Sequence, residues 1–206
     1  MTMSRLGLLA ASALALSACI SLVPKTTPAE LYRFGQFEGP APGAADRAAE
    51  TPIFRAAGTF QRGSANDRLL TITGDKAAYI AETRWIAPAT VLWDEALVAA
   101  FDADPGPTRL VSRGEPAHSD YLLRLDVRTF ETRYDHGAKA APVVVVRVRG
   151  AVLRNKDQSL AGERIFEAQA RAADNRVSAI VPAYSRAVGD VLKAIIDWTN
   201  AAVTAG

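Results

Sequence analysis

The clearest pattern in the chain is "DYLLRLDVRTFETRY", in which Leu123, Leu125 and Val127 interleave with Arg124, Asp126 and Arg128. A period of two with one apolar side predicts a strand with one buried and one wet face. The following "PVVVVRVRGAVLR" opens apolar on both faces and then interleaves Val146 and Val148 with Arg147 and Arg149. That predicts a strand central in its sheet at the start and solvated further on. "NKDQ", Asn155 to Gln158, reads as a turn, and "SLAGERIFEAQAR" as the returning partner of a hairpin. Upstream, Arg68 to Thr73 and Ala77 to Glu82 read as two short strands joined at Gly74 and Asp75, and "PIFRAAGTF" as a weaker strand. Leu31 to Phe37 alternates as a first strand, with Leu31, Arg33 and Gly35 on one face and Tyr32, Phe34 and Gln36 on the other. The Gly, Pro and Ala content of Glu38 to Pro52 makes that stretch a loop inside the domain.

The period changes twice. After Pro88, Leu92, Ala96 and Ala100 form an i, i+4 row with Leu97 and Phe101 beside it, which predicts a helix ending near "DADPGP". Asp94 and Glu95 lie in its first two turns, where the helix dipole favours negative charge. The last element is a longer helix in which Tyr184, Val188, Val191, Ile195, Trp198 and Ala202 recur at spacings of three and four, with Pro182 placed in the first turn. Its stripe predicts packing along a sheet; the competing reading is an oligomer surface. The fold class expected is therefore α/β: one compact domain over residues 31–206, with a mixed, mostly antiparallel sheet and about two main helices packed on it.

The N-terminus follows a different logic. Behind Arg5, the run "LGLLAASALALSAC" places the chain's single cysteine, Cys19, after about 11 small or apolar residues, the layout of an export signal. The run is shorter than the roughly 20 apolar residues a membrane span needs. Leu16, Ser17, Ala18 and Cys19 match the bacterial lipobox, so residues 1–18 are expected to be a lipoprotein signal peptide and residues 19–30, with Pro24 and Pro28, a lipidated tether. The competing reading is an ordinary secretory signal cut after Ala15 or Ala18. A diacylglycerol and an N-acyl chain on Cys19 would hold the protein on its membrane. Ile20 and Ser21 follow the cysteine with no aspartate, which favours the outer membrane, facing the periplasm.

Composition narrows the chemistry. Removing 18 of 206 residues leaves 188, enough for one well-packed domain. With Cys19 acylated no thiol remains, which excludes disulfides, thiolate metal sites and cysteine nucleophiles. The formal charge is +2, with arginines scattered through strands, so nucleic acid is not an expected partner. There is no Gly-rich phosphate loop, no Gly-x-Gly-x-x-Gly and no Gly-x-Ser-x-Gly elbow. His118 and His136 sit in loops, and Asp135 beside His136 reads as solvated. The carboxylates in "RLDVR" and "GER" are explained by cross-strand ion pairs. No enzymatic activity, metal or cofactor is expected beyond the acyl chains. Two polar features are weighed as sites. Arg84 and Trp85 in "TRWIAP" are a candidate docking or lipid-headgroup edge, against a core role for Trp85 with Arg84 paired or solvated. Arg147 and Arg149 are a candidate anion site, against a solvated strand face.

Taken together, the lipobox, Tyr32-x-Phe34, "YIAETRWIAPATVLWDEALVAAF", "DYLLRLDVRTFE", the valine-rich hairpin strand and the closing "VPAYSRAVGDVLKAIIDW" helix resemble the ABC-type transport auxiliary lipoprotein family, the PqiC-like proteins. The most telling piece is the strand-end Arg-Trp-x-x-Pro followed by an amphipathic helix. The resemblance implies a non-enzymatic lipoprotein partnered with an MCE-domain protein that bridges the periplasm and, through it, with an ABC permease and ATPase that move lipid or other hydrophobic solutes. The alternative is a structural pilot or assembly lipoprotein of another envelope machine.

Overall fold

Strand β7, Tyr121–Arg133, is the axis of the structure, a computed structural model that describes residues 28–36, 51–111, 114, 115 and 117–204. Along one edge it pairs antiparallel with β8, Val143–Arg154, which pairs antiparallel with β9, Leu160–Arg171. The β8–β9 ladder is the hairpin that the sequence predicts, and the β7–β8 pairing extends it. The other edge of β7 is shared. β2, Thr51–Ala56, runs parallel to residues 121–124 and carries β6, Thr108–Val111, on its far side. β3, Leu70–Thr73, runs parallel to residues 132–133 and carries β4, Lys76–Tyr79, as its hairpin partner. Gly74 turns that hairpin at φ +57°, a left-handed conformation that glycine adopts without a Cβ clash. Between β2 and β3 the chain stays against β7 through residues 59–61: the Val127 amide donates to the Thr59 carbonyl and the Gln61 amide to the Val127 carbonyl, both at 2.8 Å.

A smaller, separate pair joins β1, Glu30–Tyr32, in parallel with β5, Thr83–Trp85. Two helices complete the domain, α1 at Ala89–Ala103 and α2 at Val177–Thr204. The result is one mixed α/β domain, a seven-stranded sheet with two helices packed on it.

Inward residues of β7 and β8 face one another in register: Val127 opposite Val148, Phe130 opposite Val146, Thr132 opposite Val144. A bulge between Val127 and Thr129 makes this possible. Without the extra residue, the inward set Leu123, Leu125, Val127 would continue at Thr129 and turn Phe130 to solvent. Leu92, Ala96, Leu97, Ala100 and Phe101 of α1 are buried as their spacing predicts, as are Tyr184, Val188, Val191 and Ile195 of α2. The α2 stripe therefore serves the intramolecular core. At the centre Phe34, Trp85, Phe130 and Tyr184 pack ring on ring, with Phe34 5.0 Å from Trp85 and 5.1 Å from Phe130, and Tyr184 5.1 Å from Trp85 and 5.0 Å from Phe130.

Four details differ from the sequence expectation. The first strand is three residues long instead of the expected Leu31 to Phe37. Phe34 leaves its line to fill the core, and Gly35 turns at φ +66°. β1 begins inside the stretch assigned to the tether, and β2 begins at Thr51 inside the stretch assigned to the loop; residues 37–50 lie outside the described residues. Pro182 is the sixth residue of α2, not a first-turn residue. The helix starts earlier because Asp174 accepts the Arg176 amide at 2.8 Å, and the Arg176 carbonyl then accepts the amides of Ala179 and Ile180. The donor that Pro182 lacks would have met the carbonyl of Ser178, an exposed residue that water can satisfy.

Candidate functional site

Cys19, the expected lipidation site, lies outside the described residues. Arg84 and Trp85 lie in β5, where alternation sends them to opposite sides. Trp85 is 2 % exposed, edge-on to both Phe34 and Tyr184, so its indole is part of the core. Arg84 points outward, half-exposed, and its Nη1 donates to Asp67 Oδ2 at 2.9 Å. The segment before β3 is fixed by the backbone: the Trp85 amide donates to the Asp67 carbonyl and the Ala89 amide to the Asn66 carbonyl.

Around Arg84 opens a shallow hollow of about 630 Å³, lined among others by Leu31, Arg68, Tyr79, Ile86 and Pro88. Leu31 is 60 % exposed, Ile86 58 % and Tyr79 41 %. The Arg68 guanidinium lies 4.8 Å over the Tyr79 ring, and the Tyr79 hydroxyl donates to the Gly63 carbonyl at 2.9 Å. The three apolar side chains come from β1, β4 and the residue after β5, so the topology brings them together. No sequence pattern signals this, because each element is too short to show which face it buries.

A second, smaller crevice of about 270 Å³ lies between α1 and the stretch where β2 leaves β7. Phe60, Trp93, Leu97 and Leu125 are among its apolar lining residues, and Arg55 and Asp94 form an ion pair at 3.1 Å on its wall. Gly58 is required here: a Cβ at this position would lie 1.8 Å from the Leu125 carbonyl oxygen.

The remaining polar candidates are internally satisfied. Arg149 donates to Glu163 at 2.9 and 2.5 Å and to Asp126 at 3.2 Å, and Arg147 lies 3.6 Å from Glu167. Carboxylates of the same sheet face thus occupy the cationic pair weighed as an anion site. His118 lies 3.4 Å from Asp120 in an exposed loop, and His136 lies 3.6 Å from Asp135. The Arg171 guanidinium, bonded to both Asp135 oxygens, holds that carboxyl down at about 2, so Asp135 is an ion-pair partner of Arg171 before it is anything to His136. Among the described residues no group of three His, Cys, Asp or Glu side chains could hold a metal ion, and no helix is long and apolar enough to cross a membrane.

The fold is shared with solved structures. Protein XCC0632 of Xanthomonas campestris superposes with a TM-score of 0.71 at 21% identity, over 85% of this chain and 97% of that one. An uncharacterized protein superposes with a TM-score of 0.63 at 16% identity, over 84% and 99%. The hypothetical protein CT253 of Chlamydia trachomatis does so with a TM-score of 0.52 at 12% identity, over 77% and 100%. No protein of curated function matches the sequence significantly. The sequence profile of the ABC-type transport auxiliary lipoprotein component matches residues 65–196, from the approach to β3 into α2. The chain therefore belongs to the ABC-type transport auxiliary lipoprotein family, the PqiC-like, membrane-anchored components of the cell envelope.

Proposed function

We propose that the protein is a non-enzymatic outer-membrane lipoprotein that receives the periplasmic end of an ABC transport system. An MCE-domain protein bridges from the inner-membrane permease and ATPase, and the cargo is a lipid or another hydrophobic solute. Family membership carries the reading. Two observations support its finer parts. Cys19 is followed by Ile20 and Ser21, without the aspartate that would favour inner-membrane retention. Arg55 with Asp94, Arg84 with Asp67 and Arg149 with Glu163 are tied in ion pairs, an arrangement suited to a rigid docking body more than to proton transfer. Affinity purification of the acylated chain from its own membranes in mild detergent, followed by mass spectrometry, tests it. Co-purification of an MCE-domain protein and its ATPase is the expected result. A secretin or another assembly machine in their place would replace the transport reading with the assembly reading.

A further inference from the structure

We propose that the rim formed by Leu31, Tyr79 and Ile86 seats against the lipid bilayer that holds the acyl anchor, with Arg68 and Arg84 at headgroup level. The inference rests on acylation of Cys19 and on the membrane anchorage of the family.

Isolated exposed apolar side chains are ordinary on a protein surface; their convergence is not. Among the described residues seven large apolar side chains are exposed, and three of them, Leu31 and Ile86, the two most exposed, together with Tyr79, line a single hollow. The rim is also where the anchor arrives. Leu31 stands 12 positions after Cys19, so whatever path the intervening residues take, the two Cα atoms are at most about 43 Å apart. A contact too weak to bind free membrane becomes populated once a tether supplies the membrane at high effective concentration.

The chemistry fits an interface more than a core or a peptide. Tyr79 has an apolar ring, a hydroxyl already satisfied by the Gly63 carbonyl, and the Arg68 guanidinium across its face. Amphipathic aromatics and long cationic side chains gather at headgroup depth because each has an apolar body and a wet tip. Arg84 can donate to a phosphate while keeping Asp67 as its neighbour. The acids Glu30, Asp67 and Glu82 offset Arg33, Arg68 and Arg84 in and beside β1, β3 and β5. The surface is close to neutral, so it is matched to zwitterionic phospholipid and depends on apolar insertion instead of on anionic lipid.

Because acylation consumes the single cysteine, an introduced one is the sole free thiol. Ile86→Cys and, on β9, Ile165→Cys replace exposed side chains and leave the core intact. Each acylated full-length variant is labelled with an environment-sensitive fluorophore and placed in phosphatidylcholine vesicles doped with a shallow nitroxide lipid. The label at 86 is expected to shift to the blue and to be quenched several-fold more than the label at 165, with little change on raising salt. Equal quenching at both positions in chains that still float with the vesicles overturns the proposal while leaving the anchor in place. Chains that do not float overturn the anchorage, and the proposal with it. Shielding at 86 that needs an added protein partner also overturns it, and assigns the rim to that protein.

Discussion

Thr59 donates both its backbone amide and its hydroxyl to one carboxylate oxygen of Asp126, at 3.0 Å each. This pair fastens the stretch between β2 and β3 to the centre of β7, and Arg149 closes it from the β8 side at 3.2 Å. Asp126 is 7 % exposed. Burial pushes its carboxyl up, but the Thr59 donors, Arg124 and Arg149 outweigh that and hold it below the ordinary carboxylate value.

From this we predict that Asp126→Ala costs about 2 kcal/mol at neutral pH, since it strips a charged acceptor from the Thr59 amide and hydroxyl and from Arg149. The sign with pH follows from the depressed folded-state value. The stabilisation is complete above the unfolded carboxylate pKa of about 3.9 and is lost as pH falls through the folded value beneath it. Thermal melts of both proteins should therefore differ by roughly 4–8 °C near pH 7 and converge in acid. A gap that stays constant down to pH 2 would refute the ion-pair account.

Gly58→Ala puts a methyl group into the Leu125 carbonyl oxygen, so the backbone must move. We predict a loss of about 3 kcal/mol, at the upper end of overpacking costs. The damage should be local, with amide exchange accelerated first in β2 and β6. Protection unchanged there would mean that the loop shifts freely and the close approach is incidental.

The two residues of β5 should separate cleanly. Trp85→Ala empties the centre of the ring cluster and should cost about 3–5 kcal/mol. Arg84→Ala removes a half-exposed ion pair with Asp67, worth less than about 1 kcal/mol. Urea denaturation decides it; equal losses at the two positions would refute the division between core and surface.

Tyr184 accepts a hydrogen bond from the Thr132 hydroxyl at 3.1 Å inside the core. Burial pushes its phenol well above the ordinary tyrosine value. The folded state keeps a proton that the unfolded state releases above about pH 10, so stability falls as pH rises past that point. Tyr184→Phe should cost about 1 kcal/mol at neutral pH. It should also flatten the alkaline decline of the melting temperature, and an unchanged decline would show that other groups set it.

Much of this was readable from spacing. The β7, β8 and β9 strands are long enough for alternation to show, and α1 and α2 carry full apolar stripes. What could not be read is non-local. β2 is a six-residue central strand whose partners, β6 and β7, lie more than 50 positions away, and no local period announces a parallel neighbour. Asp126 looked wet because it alternates between arginines; its burial depends on Thr59, which the fold brings to it. The hollow around Arg84 was half legible. The strand end was visible in "TRWIAP", but the apolar neighbours that give it a surface character come from β1 and from β4.

The separateness of the β1 and β5 pair has a mechanical meaning. With Cys19 acylated as proposed, a pull on the anchor would enter the domain at the N-terminal end of β1, while β5 is restrained beyond its C-terminal end by α1. The two strands are parallel, so their three-residue ladder is loaded in shear. Behind it Phe34, wedged among Trp85, Phe130 and Tyr184, acts as a stop. Single-molecule stretching from residue 19 should register a small first rupture before the main one. The hydrogen-bond ladders of the large sheet are separate from the β1–β5 ladder, so the protein can give way at its hem and remain folded.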